Sequence, residues 1–430
     1  MTIANKRTSY EGVAVAVPVT VPYVRYSTHG AHWFIGQAVA ALVEGAGITK
    51  DQIDGLCVSS FSLAPDTAVG VTQHLGLSPR WLDHIPTGGA SGVMALRRAA
   101  RAVQVGDADI VACVGADTNH VDSFRQTLGA FSNFARDATY PYGAGGPNSI
   151  FAFITANYMR SYAATRADFG RIAVSQRDNA LKNPNALFKK PLALAEYMAA
   201  KPISDPIHLF DCVMPCAGAE AFLVMSEERA RDLGLAHVQV RAGIERHNAY
   251  AEDPVMVRGG WLADRDELYA QAGVTPAAID FVQTYDDYPV IVMMQFEDLG
   301  FCAKGEGPAF VRSHTLTHDG SFPNNTSGGQ LSCGQAGAAA GFLGMTEAIR
   351  QLTDQAGERA VLSAQLGLVA GFGMVTYDRC LCTGAIILGR SDSSPSARPP
   401  GASKGPTVVG PAGLIPSGDR LRYAADEGLP

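Results

Sequence analysis

The feature that most constrains this chain is a repeat. AGITKDQIDGLCVSS (Ala46–Ser60) returns as AGVTPAAIDFVQTYD (Ala272–Asp286). Each copy reads as a helix tail, a glycine stop, a threonine able to cap a short turn, and Ile-Asp leading an apolar strand. Downstream of each comes a glycine-rich turn and a helix of small residues. The first is GGASGVMALRRAARAV, the second GGQLSCGQAGAAAGFLGMTEAIRQL. These helices feed two further apolar strands, DIVACVGAD and RAVLSAQLGLV. The same order twice predicts two similarly folded halves, each a βαβ-rich layer. Alanine and glycine let the two helices approach their neighbours closely, which suits helices buried between two sheets.

The remaining segments divide the chain around this repeat. Residues 1–118 and 207–235 are read as the N-terminal half, and 236–390 as the C-terminal half. Between them, 119–206 is rich in aromatics, Asn and Pro and reads as an inserted loop domain with helices. DCVMPCAGAEAFLVMSEERA (Asp211–Ala230) then returns to the core as a buried strand and an acidic-capped helix. After Arg390 the composition turns to Pro, Gly and Ser, so 391–430 is read as an extended or disordered tail, or a segment that docks a partner.

At 430 residues, with 47% hydrophobic and 17% charged side chains, the chain is long enough for two cores. A net charge of −7 argues against broad affinity for nucleic acid or anionic membranes. The start lacks a secretory h-region, and no apolar run is long enough to span a bilayer. The eight cysteines are scattered without paired CxxC spacing, which favours reduced thiols in the cytoplasm over disulfides or a zinc site. His314 and His318 have helical metal spacing, but the nearby Gly and Pro argue for a loop or strand there and against zinc. No P-loop or GxGxxG context supports nucleotide hydrolysis or dinucleotide redox chemistry.

In order along the chain, GGASGVMALRRAARAVQVGDADIVACVGAD, PIHLFDCVMPCAGAEAFLVMSEERA, TYDDYPVIVMMQFEDLGF, NNTSGGQLSCGQAGAAAG and LGLVAGFGMVTYDRCLCTGAIIL resemble the thiolase superfamily, in particular its sterol-carrier-protein-type branch. The resemblance covers about residues 10–390. It implies a thiolase fold, two duplicated α/β/α halves forming a five-layered αβαβα core with an inserted loop domain. It also implies a homodimer acting on coenzyme A thioesters, with no tightly bound cofactor and no metal.

Against that pattern the catalytic positions depart. The nucleophilic cysteine of the family falls on Gly89, its activating histidine on Gln335, its second cysteine on about Val369, and its Asn or His on Tyr285. Glycine has no thiol, and glutamine takes no proton near neutral pH, so ordinary thiolysis is not expected. Ser91 is either a substitute nucleophile or a helix cap, the cap favoured because no His or Asp partner is visible. Cys333 is either a replacement thiol or a small buried residue in a glycine-rich turn.

Tyr285, Asp286, Asp287 and Tyr288 form the densest titratable cluster, and Pro289 keeps the chain extended before the next helix. Strand alternation would put Tyr285 and Asp287 on one side, Asp286 and Tyr288 on the other. Structural alternatives are an aspartate capping the next helix and a tyrosine packed in the core. With Tyr285, Asp286 and Asp287 in acid–base roles, carbon–carbon cleavage without a covalent acyl-enzyme takes a retro-aldol form. Backbone donors near Gly89 and Gly371 are the expected oxyanion stabilisers, with Asn325 of the Asn-Asn-Thr-Ser motif as a further substrate-binding candidate. Lys182, Lys189 and Lys190 are candidates for coenzyme A phosphate contacts, or simply a solvated charged loop.

The favoured function is therefore an acyl-CoA carbon–carbon lyase. The alternatives are an acyl-CoA C-acyltransferase with a non-standard nucleophile and a non-catalytic subunit or acyl-CoA carrier. The resemblance to thiolase-like aldolases further implies a small OB-fold (zinc-ribbon) partner that helps form the substrate channel.

Overall fold

A computed structural model of the chain describes residues 9–120, 136–144, 146–376 and 378–391. All but the first residue of the tail lies outside them. Eleven strands form among these residues, nine of them in one sheet: β1 (Val13–Val24), β2 (Gly55–Ser59), β3 (Trp81–His84), β4 (Ile110–Asp117), β7 (Ala217–Ser226), β8 (His237–His247), β9 (Phe281–Gln283), β10 (Leu366–Thr376) and β11 (Arg379–Arg390). β5 (Pro202–Ser204) and β6 (Ile207–His208) make a separate small hairpin.

The order across the sheet is β3-β2-β4-β7-β1-β8-β11-β10-β9. With β3 at one edge set aside, β2-β4-β7-β1 and β9-β10-β11-β8 are the same arrangement. The first pair of each is parallel, and the next two pairings are antiparallel. The halves join where β1 and β8 pair over Ala14–Ala16.

The repeat explains how each layer starts. Helices Ala31–Ala46 and Trp261–Ala272 both end on a left-handed glycine, Gly47 and Gly273. Thr49 and Thr275 then precede matching short turns. The aspartates that follow do the same work in both copies. Asp54 accepts from the backbone N–H groups of Asp109 and Ile110 at 2.9 Å, pinning the start of β4. Asp280 accepts from Gln365 and Leu366 at 2.7 and 2.9 Å, pinning the start of β10.

Side-chain alternation then sorts the layers. In β4, Ile110, Ala112 and Val114 face helix Ala31–Ala46, while Val111 and Cys113 face helix Ser91–Val105. In β11, Ile386 and Leu388 turn toward the same central layer, while Ala385 and Ile387 pack with Trp261 and Leu268 of the opposite outer helix. Helices Ser91–Val105 and Ala340–Leu352 lie between the two half-sheets and touch strands of both. The result is helix, sheet, helix pair, sheet, helix, the five layers expected.

The central helices meet backbone to backbone. A Cβ on Gly92 would stand 2.1 Å from the Gly341 carbonyl oxygen, so the small residues there are a steric requirement. Among the described residues of 119–206, helices Gly146–Tyr162, Arg166–Leu181 and Leu194–Ala199 account for most of the segment. β7 inserts between β4 and β1, which is why the sequence returns to the first half after this segment. Among the described residues, no helix is long and apolar enough to cross a membrane.

Candidate active site

A cavity of about 160 Å³ opens where the two halves and helix Gly146–Tyr162 converge. The N-terminal half supplies Phe61, beyond the end of β2, and Gly88–Gly89, at the start of the central helix. The C-terminal half supplies Tyr285, Asp287 and Tyr288 beyond β9, Gln335, and Phe372, Met374 and Val375 of β10. Asn148 and Phe151 come from helix Gly146–Tyr162, and Cys212 and Pro215 from the chain leading into β7.

Gly89 and Tyr285 fit together at the centre. A Cβ built on Gly89 would lie 2.0 Å from two ring carbons of Tyr285. The phenol ring thus occupies the volume into which any side chain at position 89 would project. Its hydroxyl lies beside the Asp287 carboxylate and the Gln335 side chain, both of which act on its proton affinity. Gln335 is held in turn by its own backbone: its N–H donates to the Met214 carbonyl at 2.8 Å, and its carbonyl accepts from Cys216 at 3.0 Å.

The electrostatics follow from burial. Tyr285 is pushed well above the ordinary phenol range, first by desolvation and then by the Asp287 charge beside it. It is therefore a neutral hydroxyl at any physiological pH. Burial raises Asp287 to about 7, partly offset by the Tyr285 hydrogen bond and reinforced by the neighbouring Asp286. One Asp287 oxygen, Oδ1, has no hydrogen-bond partner among the described residues. A carboxylate poised near 7 with a free lone pair, touching a phenol, is suited to proton transfer.

Asp286 sits elsewhere. Its side chain accepts from the Gln330 and Leu331 backbone N–H groups at 3.0 and 3.2 Å, at the start of the short helix Gly329–Cys333. Burial raises it to about 7 as well, against the lowering effect of those donors. Tyr288, by contrast, does line the cavity. The expected alternation fails because β9 ends at Gln283, and Tyr288 is the N-cap of helix Pro289–Asp298, so no strand period applies. Asp286 does cap a helical turn, but one distant in sequence rather than the next helix.

The remaining expected residues lie outside the cavity lining. Ser91 neither faces it nor caps its helix: its hydroxyl lies 3.2 Å from both the Ile85 carbonyl and the Thr87 hydroxyl, tying the helix start back to the preceding loop. Cys333 is fully buried, donates to the Ser327 carbonyl at 2.9 Å, and is pushed up to about 12 by burial, so it is a thiol rather than a thiolate. Asn325 is buried near Asp286, its carbonyl accepting from Gly328 at 2.8 Å. Gly371 pairs with Gly384 in the β10–β11 ladder and packs on Ala90, behind the turn. Val369 is buried in the central layer.

The three lysines are also placed elsewhere. Lys182 Nζ contacts His318 Nε2 at 2.5 Å, and Lys189 Nζ donates to the Asn183 and Pro184 carbonyls at 3.0 and 2.8 Å. The Lys190 carbonyl accepts from Arg177 at 3.2 Å. His314 lies past the end of helix Gly307–Ser313 and stacks on Phe310, so the two histidines do not converge. All eight cysteines are unpaired.

Sequence reasoning missed Asn148, Phe61, Phe151, Cys212 and Met374. They come from four separate segments and carry no shared motif; only the fold gathers them. Four rings run along one wall: Tyr288 to Phe151 at 4.0 Å, Phe151 to Phe372 at 5.9 Å, and Phe372 to Tyr285 at 6.2 Å between centroids.

Comparison with known proteins agrees with this architecture. The thiolase N-terminal domain family matches residues 20–198, and the thiolase C-terminal domain-like family matches 244–389. The chain belongs to the thiolase family. It is 32% identical over 332 residues to a steroid side-chain-cleaving aldolase of Thermomonospora curvata, covering 73% of this chain and 83% of that one. It is 31% identical over 335 residues to a 17-hydroxy-3-oxo-4-pregnene-20-carboxyl-CoA lyase of Mycobacterium tuberculosis, covering 74% and 85%. The solved Ltp2-ChsH2(DUF35) aldolase superposes with a TM-score of 0.75 at 27% identity, over 88% of this thiolase-family chain and 98% of the other.

Proposed function

We propose that this thiolase-family protein is an acyl-CoA carbon–carbon lyase that cleaves a β-hydroxyacyl-CoA by a retro-aldol reaction. The observation that carries the reading is the Gly89–Tyr285 fit. Where a thiolase would seat a cysteine, this chain has a glycine, and a phenol bonded to a carboxylate fills the space. The relatives named as an aldolase and a lyase support the same reaction class.

In this reaction the β-hydroxyl proton of the substrate passes to the Tyr285 oxygen as the Tyr285 proton moves to Asp287. The oxygen lone pair closes the carbonyl of the first product. The Cα–Cβ bond breaks, and its electron pair remains as a thioester enolate. The proton returns from Asp287 through Tyr285 to Cα, giving the shortened acyl-CoA. No electrons are gained or lost overall. Tyr285 acts as a neutral relay because its phenolate is too costly in this site, and Asp287 is the base. The turn Gly88–Gly89 heads the central helix, whose positive end favours the enolate. Phe61, Phe151, Phe372 and Met374 suit an apolar carbonyl fragment.

Coenzyme A thioester as substrate, a homodimer and a small OB-fold (zinc-ribbon) partner belong to the same proposal, the partner supported by the two-component name of the structural relative. Eight free thiols support the cytoplasmic assignment. An acyltransferase working through Cys333 is disfavoured by that thiol's burial away from the cavity.

A mass-spectrometric screen of β-hydroxyacyl-CoAs and β-ketoacyl-CoAs tests the reading, with the protein alone and with an OB-fold partner. Cleavage of hydroxyacyl substrates that Tyr285→Phe abolishes is the expected result. A covalent acyl adduct on the intact protein would overturn it.

A further inference from the structure

The cavity holds a second polar pair, separate from Tyr285, Asp287 and Gln335. The Tyr288 hydroxyl donates to Asn148 Oδ1 at 2.5 Å, and the Cys212 thiol lies 3.7 Å from the same oxygen. All three residues line the cavity. Burial holds the Tyr288 phenol well above its ordinary range and raises Cys212 to about 12, so both groups keep their protons and act as donors. The Tyr288 hydroxyl, and the Cys212 thiol that also reaches the His208 carbonyl at 3.6 Å, both approach the oxygen end of the amide. The Nδ2 end is left over, with no hydrogen-bond partner among the described residues.

We infer that Asn148 is a catalytic residue whose amide N–H donates to the thioester oxygen as the enolate forms, and that Tyr288 is the positioning residue that aims it. The inference rests on the retro-aldol reading. Cleavage builds negative charge on the thioester oxygen, and a donor held ready in a water-poor cavity stabilises that charge without reorganising. A neutral amide suits this place better than a cation. Asp287 must remain available as a base, and a lysine or arginine beside it would lower its proton affinity. Phe151 stacks on the Tyr288 ring at 4.0 Å and fixes the phenol that holds the amide.

The test compares Asn148→Ala, Asn148→Asp and Tyr288→Phe in the full chain, with folding checked by circular dichroism. Two reactions are followed: cleavage of β-hydroxyacyl-CoAs, and exchange of the Cα hydrogens of propionyl-CoA in D₂O. Asn148→Ala should lower kcat and exchange by about 100-fold with KM changed only a few-fold, the size of losing one oxyanion donor. Asn148→Asp keeps the acceptor for Tyr288 and the shape but loses the N–H, and should fall at least as far. Tyr288→Phe keeps the donor and loosens it, so its loss should stay under about tenfold. Wild-type kcat in Asn148→Asp, or equal losses in Asn148→Ala and Tyr288→Phe, would reduce Asn148 to a structural acceptor and overturn the inference. A wild-type protein active in neither reaction, with or without a partner, would overturn the lyase reading and this inference together. Normal cleavage by Asn148→Ala would overturn the inference alone.

Discussion

The two halves use the same elements to different ends. Beyond β2 the chain runs Ser60-Phe61-Ser62, and beyond the equivalent β9 it runs Thr284-Tyr285-Asp286-Asp287. Both loops send an aromatic ring into the cavity, Phe61 from one and Tyr285 from the other. The N-terminal loop is gripped by Asp117 at the end of β4. That buried carboxylate accepts from the backbone of Phe61 and Ser62 at 3.0 and 2.7 Å, and from Ala338 of the other half at 2.6 Å. The C-terminal loop carries its own carboxylates: Asp286 anchors it, and Asp287 faces the cavity. Duplication thus supplied a symmetric frame. The proposed reaction depends on where that symmetry is broken, because a phenol and a carboxylate can move a proton and a phenylalanine cannot.

Breaking the asymmetry at Tyr285 should have the largest effect. Tyr285→Phe should lower kcat by about 1,000-fold, within the range of a lost acid–base group, while Phe61→Leu on the other half should change kcat less than tenfold. Steady-state kinetics on one β-hydroxyacyl-CoA checks both, and comparable losses would erase the distinction drawn here.

Next comes the steric fit across the halves. Gly89→Ala puts a methyl into the Tyr285 ring and should destabilise the protein by about 1–3 kcal/mol while displacing the phenol and cutting activity. In Gly89→Ala/Tyr285→Ala the clash with the ring is gone and only that with the Phe372 carbonyl oxygen, 2.4 Å from the added Cβ, remains, so the stability losses should be non-additive by about 1 kcal/mol or more. Urea denaturation of the four proteins measures the coupling, and simple additivity would show that the two residues do not share the space.

The charge on Asp287 gives a pH signature. The rate should rise with pH through about 7 as the carboxylate ionises. Stability runs the other way. A carboxylate raised from its unfolded value of about 4 to about 7 holds more protons when folded, so its contribution falls as pH climbs through that window. Asp287→Asn should therefore abolish turnover yet raise Tm at pH 8, with little change at pH 4. A lower Tm at pH 8 would mean that the ionised group is stabilised rather than strained.

The smallest effects belong to the part of the comparison that is symmetric. Asp54→Asn and Asp280→Asn each weaken the pin on a strand start, and each should cost about 1 kcal/mol with kcat unchanged. Unequal losses would show that the repeated anchors are not equivalent in energy.

Much of this was legible in the sequence for identifiable reasons. The glycine stops, cap threonines and strand-leading aspartates act over a few residues, so local pattern alone exposed the duplication, and the family resemblance supplied the five layers. Gly89, Tyr285 and Gln335 stood at positions marked by the family resemblance and Asp287 in the titratable cluster beside Tyr285, and the cavity gathers all four, while Val369, also marked, is buried in the central layer. Tyr288 departed from strand alternation and joined Tyr285 and Asp287 at the cavity, because the strand stops at Gln283 and a helix cap takes over. Asn148 and Cys212 left no trace in the sequence, since the contact that brings them together joins segments 64 residues apart.

The sequence by itself determined the repeat, the order of elements, the family and the absence of a thiol from the glycine-rich turn at Gly89, because each is carried by residues close together along the chain. Only the tertiary structure decided that a phenol ring fills that position, which carboxylate faces the cavity and which caps a helix, and that an asparagine from the inserted segment completes the wall. Those outcomes depend on volume and burial where distant segments meet. The 2.0 Å approach that a Cβ on Gly89 would make to the Tyr285 ring, or a carboxylate lifted to about 7, arises only once the two halves have packed together.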